Sequence, residues 1–411
     1  MSLATDEAPA RLAPDPFGGA AAVPAGTALK GAAAGNATVS ATGQVAPAPV
    51  HRDTRLDLVR GWLQLQIFAS HTQGSFAGAW LIHGAWGLSD SSEQFVFLSG
   101  LVLGSVFARK ARRDGWPVAG RDMLLRAGRL WRTHLLTLAG FGAMLLAVNL
   151  ALPGEAEAYG WGYFLRAPVQ AAAAATALAY QPVFLDALPV FIWSMLVLPL
   201  FAWAAARTGA WALLPSALLW LGAQAGWLAG PDLSGDTPPA FDPFAWQALF
   251  MLGAWLGRRK LLSGAAIPAR PWMLPAAALV MAAGLAVRLS QHGLLPLLLP
   301  LPGTTFDAKV LLSPARLLHA LSLAYVVARL VPADLPWMHG PLPRLLGTMG
   351  RHSLQVFCAG LFLSYGGALA LRLHPGWTPL LDPVLILGGA GLLALYARRL
   401  DHAGPRHRRA S

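Results

Sequence analysis

An all-α fold, a polytopic transmembrane bundle of about ten spanning helices, is what this sequence predicts. Three observations carry the prediction. Of 411 residues, 55% are hydrophobic and 12% charged, with a mean hydropathy of +0.50. Ordinary soluble domains carry about 25% charge, so a soluble enzyme of this size is excluded. Apolar stretches near the ~20 residues needed to cross hydrocarbon recur from Leu56 onward. The Lys and Arg residues fall in clusters between those stretches, as cytoplasmic loops do.

Residues 1–50, rich in Ala, Gly, Pro and Thr, have no amphipathic period and no apolar run able to pack, so a disordered tail is expected there. Asp6 and Glu7 stand where a signal peptide needs positive charge. A transmembrane domain over 51–400 follows. Its candidate spans lie at 56–76, 89–108, 131–152, 188–206, 209–229, 244–257, 271–289, 310–331, 353–373 and 378–397, and a basic tail occupies 401–411.

The Ala-rich stretch 168–180 is short, and orientation decides its role. If it spans, Arg258, Arg259 and Lys260 fall outside. If it is interfacial or re-entrant, the basic clusters at 52–60, 109–132, 258–270, 344–351 and 398–409 all face the cytoplasm. Glu155, Glu157, Asp232, Asp236 and Asp242 then face outward. The expected location is a bacterial inner membrane, multi-pass, with both termini cytoplasmic. The net charge of +12 reads as topology, with the bilayer as partner and no nucleic acid. The single cysteine, Cys358, excludes an internal disulfide.

Ionisable residues at membrane depth cost about 2.5–3.5 kcal/mol each on insertion scales and mark interior cavities. In the first candidate span, Asp57, Arg60, Gln64 and His71 fall on one helical stripe. Arg60 and His71 are separated by ten residues, about 16 Å of helix, so the stripe runs from one membrane face toward the middle. A histidine there is either a helix–helix hydrogen bond or a general base that takes a hydroxyl proton. Arg60 either snorkels to headgroups or holds an anionic donor.

Asp90 and Glu93 have the spacing of a helix cap and its reciprocal partner, and they also lie within potential reach of His71. Gly100 and Gly104 read as close helix packing. Lys309, Arg316 and His319 are expected in the outer half of one helix, with Lys309 and Arg316 on a shared face. Asp186, before Leu188-Pro189, lies at the same outer end. The basic run 109–132 reads as a loop, and Ser353 as a helix cap. Neither a phosphate loop, a zinc motif nor a nucleophile elbow occurs, so metal chemistry and nucleotide hydrolysis have no support.

The stretches RDTRLDLVRGWLQLQIFASH (52–71), GLSDSSEQFVFLSG (87–100), QPVFLDALPV (181–190), FDPFAWQALFMLGAWLG (241–257), SPARLLHALSLAY (313–325) and GRHSLQVFCAG (350–360) make the chain resemble the OpgC family, named for succinylation of osmoregulated periplasmic glucans. It is also similar to wider membrane acyltransferases that carry Arg, ten intervening residues, then His in the first helix, as Arg60 and His71 do. Their Arg-x-Arg loop signature is replaced here by Arg126-Ala-Gly-Arg129-Leu-Trp-Arg132.

The resemblance implies an O-acyltransferase with no bound cofactor, using acyl-CoA, succinyl-CoA by analogy, and a glycan acceptor. By the same resemblance His71 would be catalytic and Arg60 would support the donor. The positions of the residues themselves add Asp90 or Glu93 as the acidic partner of His71, and Gln64, Asp186, Lys309, Arg316 and His319 beside Arg60 as candidates to bind substrate. A transporter of an anionic small molecule, using the same residues as a relay, is the alternative reading.

Overall fold

The computed structural model describes residues 53–233, 240–296, 308–333 and 335–403. The expected tail 1–50, Asp236 and most of the basic C-terminal segment lie outside them. Asp53–Ser411 forms one compact unit. Its described residues are helical, with no strand among them.

In chain order the helices are α1 (Thr54–His71), α2 (Ser91–Asp114), α3 (Trp116–Ala151), the short α4 (Glu155–Ala158), α5 (Gly162–Arg166) and α6 (Pro168–Thr176), then α7 (Ala187–Thr208) and α8 (Leu213–Gln224). They continue with α9 (Pro243–Ser263), α10 (Met273–Gln291), α11 (Pro314–Leu330), α12 (Pro341–Arg351), α13 (Ser353–Leu373) and α14 (Thr378–Ala403).

Local chemistry sets many of these boundaries. Asp90 and Glu93 form a reciprocal capping box at the start of α2. Asp242 and Ser313 accept backbone N–H bonds at α9 and α11, each followed by a proline suited to a first turn. Gly115, at φ +88°, breaks the chain between α2 and α3. The run 109–132 is therefore not a loop. It is the end of α2, one left-handed glycine and the start of α3, because its Arg, Leu and Ala residues are strong helix formers.

Each of the ten predicted spans contains a helix, but six stretches are long and apolar enough to cross a membrane: Ser91–Asp114, Trp116–Ala151, Ala187–Gln224, Met273–Gln291, Ser353–Leu373 and Pro375–Ala403. The others fall short for physical reasons. Arg55, Asp57 and Arg60 interrupt α1, three cations crowd the end of α9, and α11 has 17 residues, while the 12-residue α8 is counted in one apolar stretch with α7. With nine residues, α6 is about 14 Å long, too short to cross. Leu136, Leu150, Leu200, Leu279 and Leu387 stand well exposed on the long helices, as a lipid-facing surface requires. The chain is a multi-pass helical membrane protein.

Glycine brings the key pairs into contact. Gly100 and Gly104 of α2 lie against the backbone of Phe250 and Ala254 in α9, while Gly253 and Gly257 of α9 lie against Phe97 and Leu101 of α2. A Cβ at any of the four would collide with main chain. The expected small-residue packing is thus reciprocal, four residues apart on both helices. Gly61 and Gly350 do the same for α1 and α12.

Candidate functional site

A cavity of about 540 Å³ lies among α1, α2, α7 and α13. It follows the helix axes: α1 lines it from Arg60 to His71, α2 from Ser91 to Leu103, α7 from Ala187 to Met195, and α13 from Ser353 to Phe357. The twelve steps of α2 from Ser91 to Leu103 correspond to about 18 Å of length. Arg60 lines it too: its Nη2 donates to Ser353 Oγ at 2.8 Å and the guanidinium lies 5.4 Å from the Phe95 ring. Ser353 takes this bond as the first residue of α13 and caps nothing. Ile67, Phe95, Leu103, Phe191, Met195 and Phe357 make the intervening wall apolar.

His71 lines the cavity at the end of α1. Its Nδ1 is buried and has no hydrogen-bond partner among the described residues. The ring stacks at 4.7 Å on Phe184. Phe184 sits at φ +74°, a strained backbone for an aromatic residue of the kind that collects at functional sites.

The expected bond from Asp90 or Glu93 to His71 is not formed. Both carboxylates are engaged by stronger partners, since a cation and a backbone N–H outcompete a neutral imidazole. Glu93 Oε2 accepts the Asp90 backbone N–H at 2.8 Å, and its Oε1 accepts Arg316 Nε at 2.6 Å. Asp90 Oδ1 accepts the Ser92 N–H at 2.7 Å, while Oδ2 pairs with Lys309 Nζ at 2.9 Å and Arg316 Nη2 at 3.1 Å. Burial by itself would raise the Asp90 carboxyl, but Lys309 and Arg316 outweigh it and hold it well below the usual carboxylate range. Burial pulls Lys309 down, and the Asp90 and Glu93 carboxylates reverse that and push it up.

Asp90, Lys309 and Arg316 line the cavity; Glu93, fully buried, supports them from behind. Lys309 is not on the helix of Arg316. It opens a turn closed by Leu312 N–H to Lys309 O at 3.0 Å, with Leu312 at φ +49°, and α11 starts at Pro314. The turn, not a shared helical face, brings both cations to Asp90.

Asp186 also lines the cavity, and its Oδ2 accepts the Ala240 N–H at 2.8 Å. Burial pushes its carboxyl up, against the pull of that N–H bond and of Lys309. Gln64 is buried without lining the cavity.

His319 is likewise outside the lining. It is wedged between Gly87 and Gly284, with Nδ1 taking Ser89 Oγ at 2.8 Å and the Ser89 N–H at 3.3 Å. Three residues beyond Arg316, it is rotated about 60° around α11, which carries it off the cavity face. Sequence reasoning missed Arg288, His292 and Phe184, which also line the cavity. The two polar residues lie at the far end of α10, in ordinary interfacial positions, and nothing in their spacing signals a site. No cluster of metal-ligating side chains occurs among the described residues.

No curated protein and no solved structure matches the chain. A family model described as OpgC protein matches residues 52–403, which takes in every residue of the cavity. With that match over most of its length, the chain belongs to the OpgC family.

Proposed function

We propose that this protein is an integral membrane O-acyltransferase. It moves an acyl group, succinyl by the family's name, from a cytosolic CoA thioester to a hydroxyl of a periplasmic or envelope glycan. Family membership supports an acyltransferase-type function. The observation that carries the reading is one cavity lined at once by His71, by Arg60, and by Lys309 and Arg316 with their partner Asp90. In this reading the protein lies in a bacterial inner membrane with both termini cytoplasmic. Arg60 faces the donor side, and the apolar stretch of the cavity accommodates the thioester arm.

The acceptor hydroxyl enters beside Asp90, Asp186 and Lys309. His71 takes its proton as the oxygen attacks the thioester carbonyl. Lys309 and Arg316 steady the negative charge that develops on the carbonyl oxygen. Collapse of the tetrahedral intermediate forms the ester and expels the CoA thiolate, which recovers the proton from the imidazolium. Asp90 and Glu93 act here as positioning residues that hold the two cations.

His71→Ala is expected to lose transfer by roughly 10²–10⁴-fold, the contribution of a positioned base, while inserting and purifying like the wild type. The measurement is mass spectrometry of glycans after incubation with succinyl-CoA, in membranes and with purified protein. Unchanged ester content in the variant would reject the assignment, and uptake of an anion by reconstituted protein without ester formation would favour transport.

A further inference from the structure

Between α1 and α2 the chain does not simply turn. Residues Ala77–Leu81 form a five-residue π-helical turn and His83–Ala85 a single 3₁₀ turn. Gly78, Ala79, Ile82, Gly84 and Ala85 from this segment line the cavity of His71, so its backbone is the cavity wall at that end. Its aromatic side chains are not part of the lining and form a row beside it. Phe76 lies 6.5 Å from Trp80, and Trp80 lies 5.9 Å from Trp86.

His292 of the α10 end closes the group, 4.7 Å from Trp80 and 5.8 Å from Trp86, and lines the cavity itself. The group is held in place by its polar edges. Trp86 Nε1 donates to Trp80 O at 2.7 Å, and His292 Nε2 donates to Ala85 O at 2.9 Å. A carbonyl partner requires the proton on Nε2, so the neutral ring turns its Nδ1 lone pair elsewhere. Arg288 beside it bonds Gly87 O at 2.9 Å. Phe76 is 60% exposed and Trp86 37%.

We propose that Phe76, Trp80, Trp86 and His292 form a platform for consecutive rings of an extended neutral glycan whose acylated unit reaches into the cavity. The proposal rests on the acyltransferase reading and names where its acceptor is gripped. Sugar rings present a flat C–H face that lies on aromatic rings, and hydroxyl edges that need polar neighbours. A row of rings spaced like successive units of a chain, beside Arg288 and the His292 ring, offers both. Tryptophans that only anchor a helix at the bilayer surface sit with their N–H toward the headgroups. Here the Trp86 N–H is taken up by the Trp80 carbonyl, and the rings lie against one another and against His292.

The test uses the full chain in nanodiscs, without donor, and a neutral linear glucose oligosaccharide as probe, compared with glucose. Saturation-transfer NMR on the wild type is expected to mark the ring C–H protons of more than one sugar unit. Trp80→Ala and Trp86→Ala are expected to weaken oligosaccharide binding about tenfold, ~1.4 kcal/mol, with Trp80→Phe retaining most of it. With donor present, both Ala variants should lose the preference for oligosaccharide over glucose, seen as a rise in KM.

No saturation transfer from the wild type, or unaltered binding in both Ala variants, overturns the platform. So does a loss of binding that merely follows a loss of membrane insertion, which would make the rings lipid anchors. Oligosaccharide binding without any acyl transfer would leave the platform standing and reject the transferase instead.

Discussion

Arg316 carries the most concentrated electrostatics in the molecule. Its side chain is 5% exposed and pairs with Glu93, which is fully buried, and with Asp90. Removing one member of such a pair leaves uncompensated buried charge and typically costs about 3–5 kcal/mol. Arg316→Met is therefore expected to be far less stable to heat in detergent than the double variant Arg316→Met/Glu93→Gln, in which less charge is stranded. Equal losses in the two would contradict this account.

The Asp90–Lys309 pair gives a pH signature. A carboxyl held low contributes stability above the ordinary carboxylate range and loses it as acid passes its lowered value. An ammonium pushed up contributes below the ordinary lysine range and loses it only above that. The stability difference between wild type and Lys309→Met should thus stay level from about pH 5 to about pH 7 and close in stronger acid. Thermal melts across that series check it, and a change centred near neutrality would show that another group governs the pair.

Residues that break an apolar pattern were legible in the sequence: Arg60, His71, Asp90, Glu93 and Arg316 stand out against their surroundings. Phe184 and His292 do not, because an aromatic ring or an interfacial histidine is ordinary in such a chain.

The seam between α2 and α9 is the clearest case among the elements. Gly100 and Gly104 announce close packing by their spacing, but the matching Gly253 and Gly257 are a partner that no local pattern identifies. Since each meets backbone rather than a side chain that can swing away, Gly253→Leu is expected to abolish the folded state. Leu252→Val, a neighbouring change at a partly buried position, should cost about 1 kcal/mol or less. Yield of monodisperse protein after size-exclusion chromatography separates the two, and a well-behaved Gly253→Leu would mean that α2 and α9 do not touch as described. The basic run 109–132 shows the opposite limit. Its charges suggested a loop, but helix propensity prevailed, and a single left-handed glycine supplies the only break.

At the scale of the whole molecule, the reading depends on a cavity whose two ends open on different sides of the membrane. Ser92, next to Asp90, and Ser353, bonded to Arg60, both line it. After the native Cys358 is replaced by Ala, cysteines introduced at these two positions should be modified by a membrane-impermeant maleimide from opposite sides of sealed vesicles. Labelling of both from one side would remove the reason for a donor and an acceptor to meet through the bilayer. A bulky plug such as Met195→Trp, in the apolar stretch, should reduce transfer about tenfold or more through the donor KM, and leave oligosaccharide binding at the aromatic row intact.

The sequence by itself determined that this is a helical, multi-pass chain with polar residues buried along its first helix. Charge content, apolar run length and periodicity are local quantities, and the solvent constrains them directly. Only the tertiary structure decided which groups meet. Pairing Arg316 with Glu93, turning Lys309 onto Asp90, leaving His71 against Phe184 and moving His319 out of the cavity all depend on contacts between residues far apart in the chain. Such contacts are set by how glycine seams let helices approach and by which cation reaches a carboxylate first, and neither is written in the spacing of one helix.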